Sequence, residues 1–446
     1  MSRIDIRSEQ PGHWTGSSQL ILPMPRDQAK QPWQSALRRK IGWEGLVTIN
    51  RRTVIASALT APFLQPGAAS GRTYDQGVSA TEIKLGQTTA YSGPVSGAAS
   101  MKRVQVAYFD KLSAEGGING RKVSLISLDD GYSPPKTVEV TRKLVESDEV
   151  FAIFNSFGTP TSAAVQRYLN IKKVPQLFVS SGAARFNDPV SSPWSCPALP
   201  DLQDVGALYA RFILNKFPGA KIAILFQNDD FGKDMMRGLK QGLGSQNANM
   251  VIKEVSYEST EPTIDSQIVT LKSSGADLFI NLSTGRATVQ SIKRVFEIGW
   301  KPVHIVNGAF GTIFEVFRPA GLEKTKDIYS SAFVKDPADP TWFEDSGMVE
   351  YFEFMKKYMP DVSMYNRTSL SSYVTAQAMA HVIRLAGDDV TRANVMRIAT
   401  SLTDLRIRDL LMPGVTINTT PEKRNLFGKE VMAQFNGERW DVLGDF

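Results

Sequence analysis

From about residue 80 onward, short apolar runs rich in β-forming residues alternate with stretches of helical spacing, and this alternation restricts the fold more than any other feature of the chain. One unit reads "DDGYSPPKTVEVTRKLVESDEVFAIFNSFGTPTSAA" over residues 129–164. Ser133 before Pro134 suits a helix N-cap with proline in the first turn. Val138, Thr141 and Val145, with Val140 and Leu144, then recur at helical spacing, which predicts a helix. The run Val150 to Phe154 has the pattern of a parallel strand covered on both faces. Thr159 and Pro160 repeat the cap-plus-proline signal, so "SFGT" is expected at a strand's carboxyl end with backbone N–H groups free at a helix start. Open α/β sheets bind their ligands at that edge.

The unit recurs. "TEIKLGQTTAYSGP" reads as a strand and loop, and "VPQLFVSSGAARF" supplies another strand. The alternation restarts at "PALPDLQDVGALYARFILNKFPGAKIAILFQNDDFGKDMMRGLKQGLG" and continues through "SGADLFINLSTGRATVQSIKRVFEIGW" and "KPVHIVNGAFG". Two α/β halves, each with a parallel sheet, are predicted. Several strands end in small and hydroxyl residues, as in "AYSGP", "NSFGT", "VSSGAA", "NLSTG" and "NGAFG", which let backbone and a ligand approach closely.

Charge argues against a nucleic-acid partner. Residues 1–72 hold 10 Lys+Arg against 4 Asp+Glu, which accounts for the net charge of +6 and leaves the remainder neutral. Within that leader, "RRTVIASALTAPFLQPGAASG" from Arg51 has an arginine pair, a short apolar stretch and a small-residue cleavage region. Residues 47–72 are therefore expected to be a signal peptide directing export to the periplasm, by the general or the twin-arginine route. Residues 1–46 are polar and aperiodic, and translation is expected to begin near Val47, a valine being what an alternative start codon displays. No apolar run is long enough to span a membrane.

Catalytic chemistry finds no home in these residues. Only His304 and His381 lie beyond the leader, Cys196 is alone, and there is no phosphate-binding Gly-Lys-Ser/Thr loop or nucleophile elbow. Asp129 and Asp130 are read as turn residues. No enzyme activity, metal or other cofactor is expected.

"YSGP" at 91–94, "AYFDKLSAEGGINGRKV" at 107–123, "DDGYSPPKTVEVTRKLVESDEVFAI" at 129–153, "GTPTSAA" at 158–164 and "DDFGKDMMRGLKQGL" at 229–243 resemble the substrate-binding proteins of branched-chain-amino-acid-type ABC transporters. So does "SSYVTAQAMAHVIRLAGDDVTRANVMRIATSL" near the end. The resemblance implies a type I periplasmic binding protein: an α/β fold of two Rossmann-like lobes joined by three crossover segments, closing on a ligand by a hinge. It also implies a monomer that serves the permease and ATPase subunits of an importer. Lobe 1 would comprise 75–197 and 334–412, and lobe 2 would comprise 198–333 and 413–446. "SCPALPD", "KDPADP" and "LLMPGV" mark the expected crossovers.

By the same resemblance, Phe157, Gly158 and Thr159 form the loop that holds a ligand carboxylate. The threonine that helps hold the amino group of an amino acid falls at about Ala184, beside Ala183. The acid that pairs with the ammonium falls at Phe310. A buried ammonium without its partner costs several kcal/mol, so an aromatic or apolar carboxylate is the expected ligand. Positions that carry a disulfide in some relatives match Tyr132 and Phe157, and a second-lobe aromatic matches Phe231. Phe157, Phe231 and Phe310 would line an apolar slot closed by Tyr91, with Thr284 and Arg286 at its second-lobe side. A sensor of the same fold and a leucine-type amino acid binder remain the alternatives.

Overall fold

The computed structural model describes residues 74–407, 409–444 and 446. The expected extension and signal peptide lie outside the described residues.

The first sheet contains β1 (Glu82–Thr89), β2 (Lys122–Asp129), β3 (Ala152–Phe154), β4 (Gln176–Val179) and β5 (Ser195–Pro197), all parallel, in the order β2-β1-β3-β4-β5. The second contains β6 (Ile222–Gln227), β7 (Val251–Tyr257), β8 (Leu278–Leu282), β9 (Val303–Val306), β10 (Tyr329–Ala332), β11 (Val431–Phe435) and β12 (Trp440–Gly444), in the order β12-β11-β10-β9-β8-β6-β7. Strands β6 to β10 pair in parallel, and β11 and β12 complete that sheet antiparallel.

Between the strands of the first sheet run α1 (Ala99–Ala114), α2 (Pro134–Arg142) and α3 (Thr159–Ile171). The second sheet carries α4 (Leu202–Lys216), α5 (Asp230–Leu243), α6 (Asp265–Ser273), α7 (Gly285–Glu297) and the single turn α8 (Arg318–Ala320). The chain then returns to the first sheet, where α9 (Ser346–Tyr358), α10 (Arg367–Ala386) and α11 (Arg392–Ala399) complete its core. Tyr351, Leu370, Val374 and Val395 of these helices are buried with Ile83, Leu85, Phe109 and Phe154.

Three crossings follow from that return, and they lie side by side. Val334 bridges Leu411, Met412 donates to the Phe333 carbonyl at 3.0 Å, and Leu426 and Phe427 donate to the carbonyls of Pro197 and Ala198 at 3.0 and 2.9 Å. The rings of Phe333 and Phe427 lie 4.5 Å apart. Ile417, Leu426 and Phe427 still pack in the first core, and the chain enters the second sheet at Val431.

Local reading and structure agree at α2, whose first turn opens with Pro134 after Ser133. Strand β3 is shorter than the run Val150 to Phe154, because Phe151 already donates to the Lys84 carbonyl while ladder pairing begins at Ala152. The cap of α3 is Gly158 rather than Thr159, whose backbone is already helical.

His304, on β9, is buried against the Phe279 ring at 4.7 Å, and burial pushes its pKa down to about 3. Between about 6.5 and about 3 the unfolded chain takes up a proton that the folded one refuses. His304 thus lowers stability as the pH falls, by at most about 1.4 kcal/mol per unit. The advantage of wild type over His304→Gln in urea unfolding should shrink from about pH 7 to about pH 5; a constant difference contradicts the buried neutral imidazole.

Candidate functional site

Both sheets present the carboxyl ends of their parallel strands to one cavity of about 340 Å³. Its walls are the segments that follow those ends: residues 94–98 after β1, Tyr132 after β2, 157–159 after β3, Ser180 and Ser181 after β4, Phe231 after β6, 284–286 after β8 and 309–316 after β9.

The first-sheet wall is built around the start of α3. Asn155 takes a left-handed backbone (φ 48°), and its side-chain amide donates to the Phe178 carbonyl at 2.7 Å while accepting from Gln105 at 2.7 Å. Gly158 follows with φ 99°, and a Cβ there would stand 2.5 Å from the Tyr132 ring, so only glycine allows the loop to pass beneath that ring. The backbone N–H groups of Thr159 and Thr161 meet no acceptor among the described residues. Together with the helix dipole they give this edge a geometry suited to an anion. The Thr159 hydroxyl lies 2.7 Å from that of Ser181, so the two share one hydrogen and keep another for a ligand.

The second-sheet wall is aromatic. The Asp229 side chain caps α5 by accepting from the N–H of Phe231 at 2.9 Å, which places Phe231 against Phe310 edge-to-face at 6.4 Å. Thr284 donates to Gln227 at 2.7 Å, and Gln227 donates to the Tyr132 hydroxyl at 3.3 Å, linking the two walls. A second link runs from the Arg286 N–H to the Pro94 carbonyl at 3.4 Å.

A third region went unread in the sequence. Arg367 opens α10, is 5 % exposed, and donates to the Gly308 carbonyl. Next to it, the Thr368 N–H donates to Glu315 Oε1 at 2.9 Å. Burial, and then the charge of Asp336, push the Glu315 carboxyl up, with the Thr368 N–H and Arg367 opposing. The local signal was the cap "NRTS" from Asn366, whose side chain accepts from the Ser369 N–H at 2.8 Å. Nothing local indicated that this helix start faces the cavity.

Seven of the ten expected positions line the cavity: Phe157, Gly158, Thr159, Phe231, Thr284, Arg286 and Phe310. Arg286 sits at its edge, exposed, with its guanidinium donating to the Glu261 carbonyl at 3.2 Å. Tyr91, Ala183 and Ala184 lie elsewhere. The Tyr91 hydroxyl donates to Ser127, its N–H donates to Asp129 at 2.9 Å, and the Lys102 ammonium stands 5.4 Å from its ring centre, so its ring does not close the slot. Ala183 packs in the second core, and the Ala184 N–H donates to Asp234 at 3.0 Å. Asp129 and Asp130 accept from the turn, at Gly131 and Tyr132, each at 2.9 Å. Among the described residues no His, Cys, Asp and Glu cluster is placed to hold a metal ion, and no helix is long and apolar enough to cross a membrane.

Two α/β lobes whose strand ends meet on a solute-sized cavity define a two-lobed solute-binding protein. A family model described as periplasmic binding protein matches residues 82–433, so the chain belongs to that family, with the type I fold and the branched-chain amino acid relationship that its motifs implied. A Brucella abortus protein named Leu/Ile/Val-binding protein homolog 7 is 24% identical over 338 residues, covering 73% of this chain and 81% of its own. Among solved structures, a Thermus thermophilus branched-chain amino acid ABC transporter protein with bound valine matches at a TM-score of 0.73 and 14% identity, covering 83% of this chain and 97% of that one. A fatty acid ABC transporter substrate-binding protein from Thermomonospora curvata matches at 0.69 and 17%, covering 84% and 94%.

Gly158→Ala should lower the unfolding free energy by about 1–3 kcal/mol, from positive φ and the clash with Tyr132. Gly97→Ala, where a Cβ would meet nothing within 4 Å, is the control and should change it by less than about 0.5 kcal/mol. Equal effects in chemical denaturation would refute this account of the loop.

Proposed function

We propose that the protein is the periplasmic solute receptor of an ABC importer, exported by its leader and handing its ligand to permease and ATPase subunits. Its ligand is a small carboxylate with an aromatic or apolar body. The carboxylate is held by the N–H groups of Thr159 and Thr161 and the hydroxyls of Thr159 and Ser181, while the body lies against Phe157, Phe231 and Phe310. The hinge is the set of three crossings, and we place the lobes at 75–197 with 334–427 and at 198–333 with 428–446, moving the third boundary from 412 to 427 because Ile417, Leu426 and Phe427 pack in the first core.

The observation that carries this reading is the pairing of an anion-binding helix start with an aromatic opposite wall. An α-amino acid fits less well. Phe310 occupies the position where the resemblance expects the ammonium's acid. The acid that does line the cavity, Glu315, stands beside the fixed positive charge of Arg367 and is itself pushed toward neutrality. The fatty acid receptor among the structural neighbours is a precedent for an apolar carboxylate on this fold.

A thermal-shift panel of aryl carboxylates, aliphatic carboxylates and branched-chain amino acids tests the reading. An acid that binds should raise apparent stability by about 2.7 kcal/mol at a hundredfold excess over its dissociation constant. Leucine, isoleucine and valine producing the largest shifts would overturn it. In calorimetric titration with the best acid, Thr159→Val should bind about ten- to a hundredfold more weakly, the value of a hydrogen bond to a charged group; unchanged affinity would leave Thr159 with a role in the fold alone.

A further inference from the structure

The cavity has a second polar end. Thr312 and Glu315, on the segment after β9, and Arg367, at the start of α10, all line it. Thr312 Oγ1 and Glu315 Oε2 are shielded from solvent and have no hydrogen-bond partner among the described residues. Thr312 is 3 % exposed and Arg367 5 %, so neither is a surface group that water satisfies freely. Arg367 has five N–H hydrogens to place, and its one hydrogen bond among the described residues runs to the Gly308 carbonyl.

Nearby carboxylates are committed elsewhere. Asp336 accepts from the N–H groups of Ile313 and Ala338, each at 2.9 Å, and Glu430 accepts from the Ser331 hydroxyl. The other oxygen of Glu315 takes the Thr368 N–H at 2.9 Å. What lines the cavity here is thus a guanidinium that needs an acceptor next to a carboxyl and a hydroxyl whose hydrogen-bonding capacity is unused among the described residues. A methyl group would leave all three unmet, an ammonium sets a second positive charge against Arg367 and offers it no acceptor, and a carboxylate brings a further negative charge beside Glu315 and Asp336. One neutral group with both a carbonyl and an N–H meets them together.

We infer that Thr312, Glu315 and Arg367 recognise a neutral hydrogen-bonding group, a carboxamide or a group of the same donor and acceptor pattern, at the end of the ligand remote from its carboxylate. This rests on the reading that the carboxylate docks at the start of α3. The preferred solute is then an apolar acid with a polar far end.

The test is calorimetric titration of the full chain with four phenylpropanoates that differ only in the ring's 4-substituent: methyl, carboxamide, carboxylate and ammoniomethyl. The carboxamide should bind at least about tenfold tighter than the methyl compound, and tighter than either charged one. In Glu315→Gln and in the near-isosteric Thr312→Val, the ratio of carboxamide to methyl affinity should drop by at least about threefold. The second variant keeps the Thr368 contact intact should the first fold poorly. Methyl and carboxamide compounds binding equally, a charged compound binding tightest, or an unchanged ratio in the folded variants would overturn the inference while leaving the carboxylate reading in place. Failure of all four to bind would sink the carboxylate reading and this inference with it.

Discussion

A parallel strand cannot turn back on its neighbour, so every connection must cross the sheet's face, and all strand carboxyl ends gather on one edge. The rest of this structure depends on that constraint. It puts the small-residue loops of each sheet in a row, sets helix N-termini behind them, and leaves two such edges facing one cavity. The neighbouring crossings, with the Phe333 ring packed against that of Phe427, confine the connection between the two sheets to one narrow region. Motion about such a region changes the distance between the edges with little cost to either core.

Buried polar groups near the cavity are mostly occupied in shaping it. Gln87 donates to Gln105 at 2.6 Å, Gln105 donates to Asn155, and Asn155 ties down the bend that leads to Gly158. On the other side Gln227 gathers Tyr257, Thr284 and Tyr132. Such networks stiffen loops that would otherwise pay ordering entropy on binding. The backbone N–H groups at the start of α3, and Thr312 Oγ1 and Glu315 Oε2 beside Arg367, are among the groups there that still have hydrogen bonds to give or take.

Much of this was legible beforehand because it is local. The proline after Ser133 and the periodicity of Val138, Thr141 and Val145 specify α2 without reference to anything distant. Strand ends rich in small residues announced the edge. Thr159 was misjudged by one position because cap and first-turn residues share the same chemistry, and only the left-handed Gly158 separates them. Tyr91 and Ala184 were placed by resemblance alone, and contacts with Ser127 and Asp234, far away in sequence, decide where they go. Arg367 is the clearest omission. Its role needs α10 to return to the first sheet and set its N-terminus against the second, which no pattern within residues 360–370 reveals.

The central claim is that the two sheets close on a small acid through motion at the three crossings. Small-angle X-ray scattering of the full chain, with and without a saturating acid chosen for its calorimetric affinity, measures it directly. The account predicts a smaller radius of gyration in the complex, as the links from Tyr132 to Gln227 and from Pro94 to Arg286 become the dominant state. A radius that does not change while calorimetry reports full occupancy would contradict it.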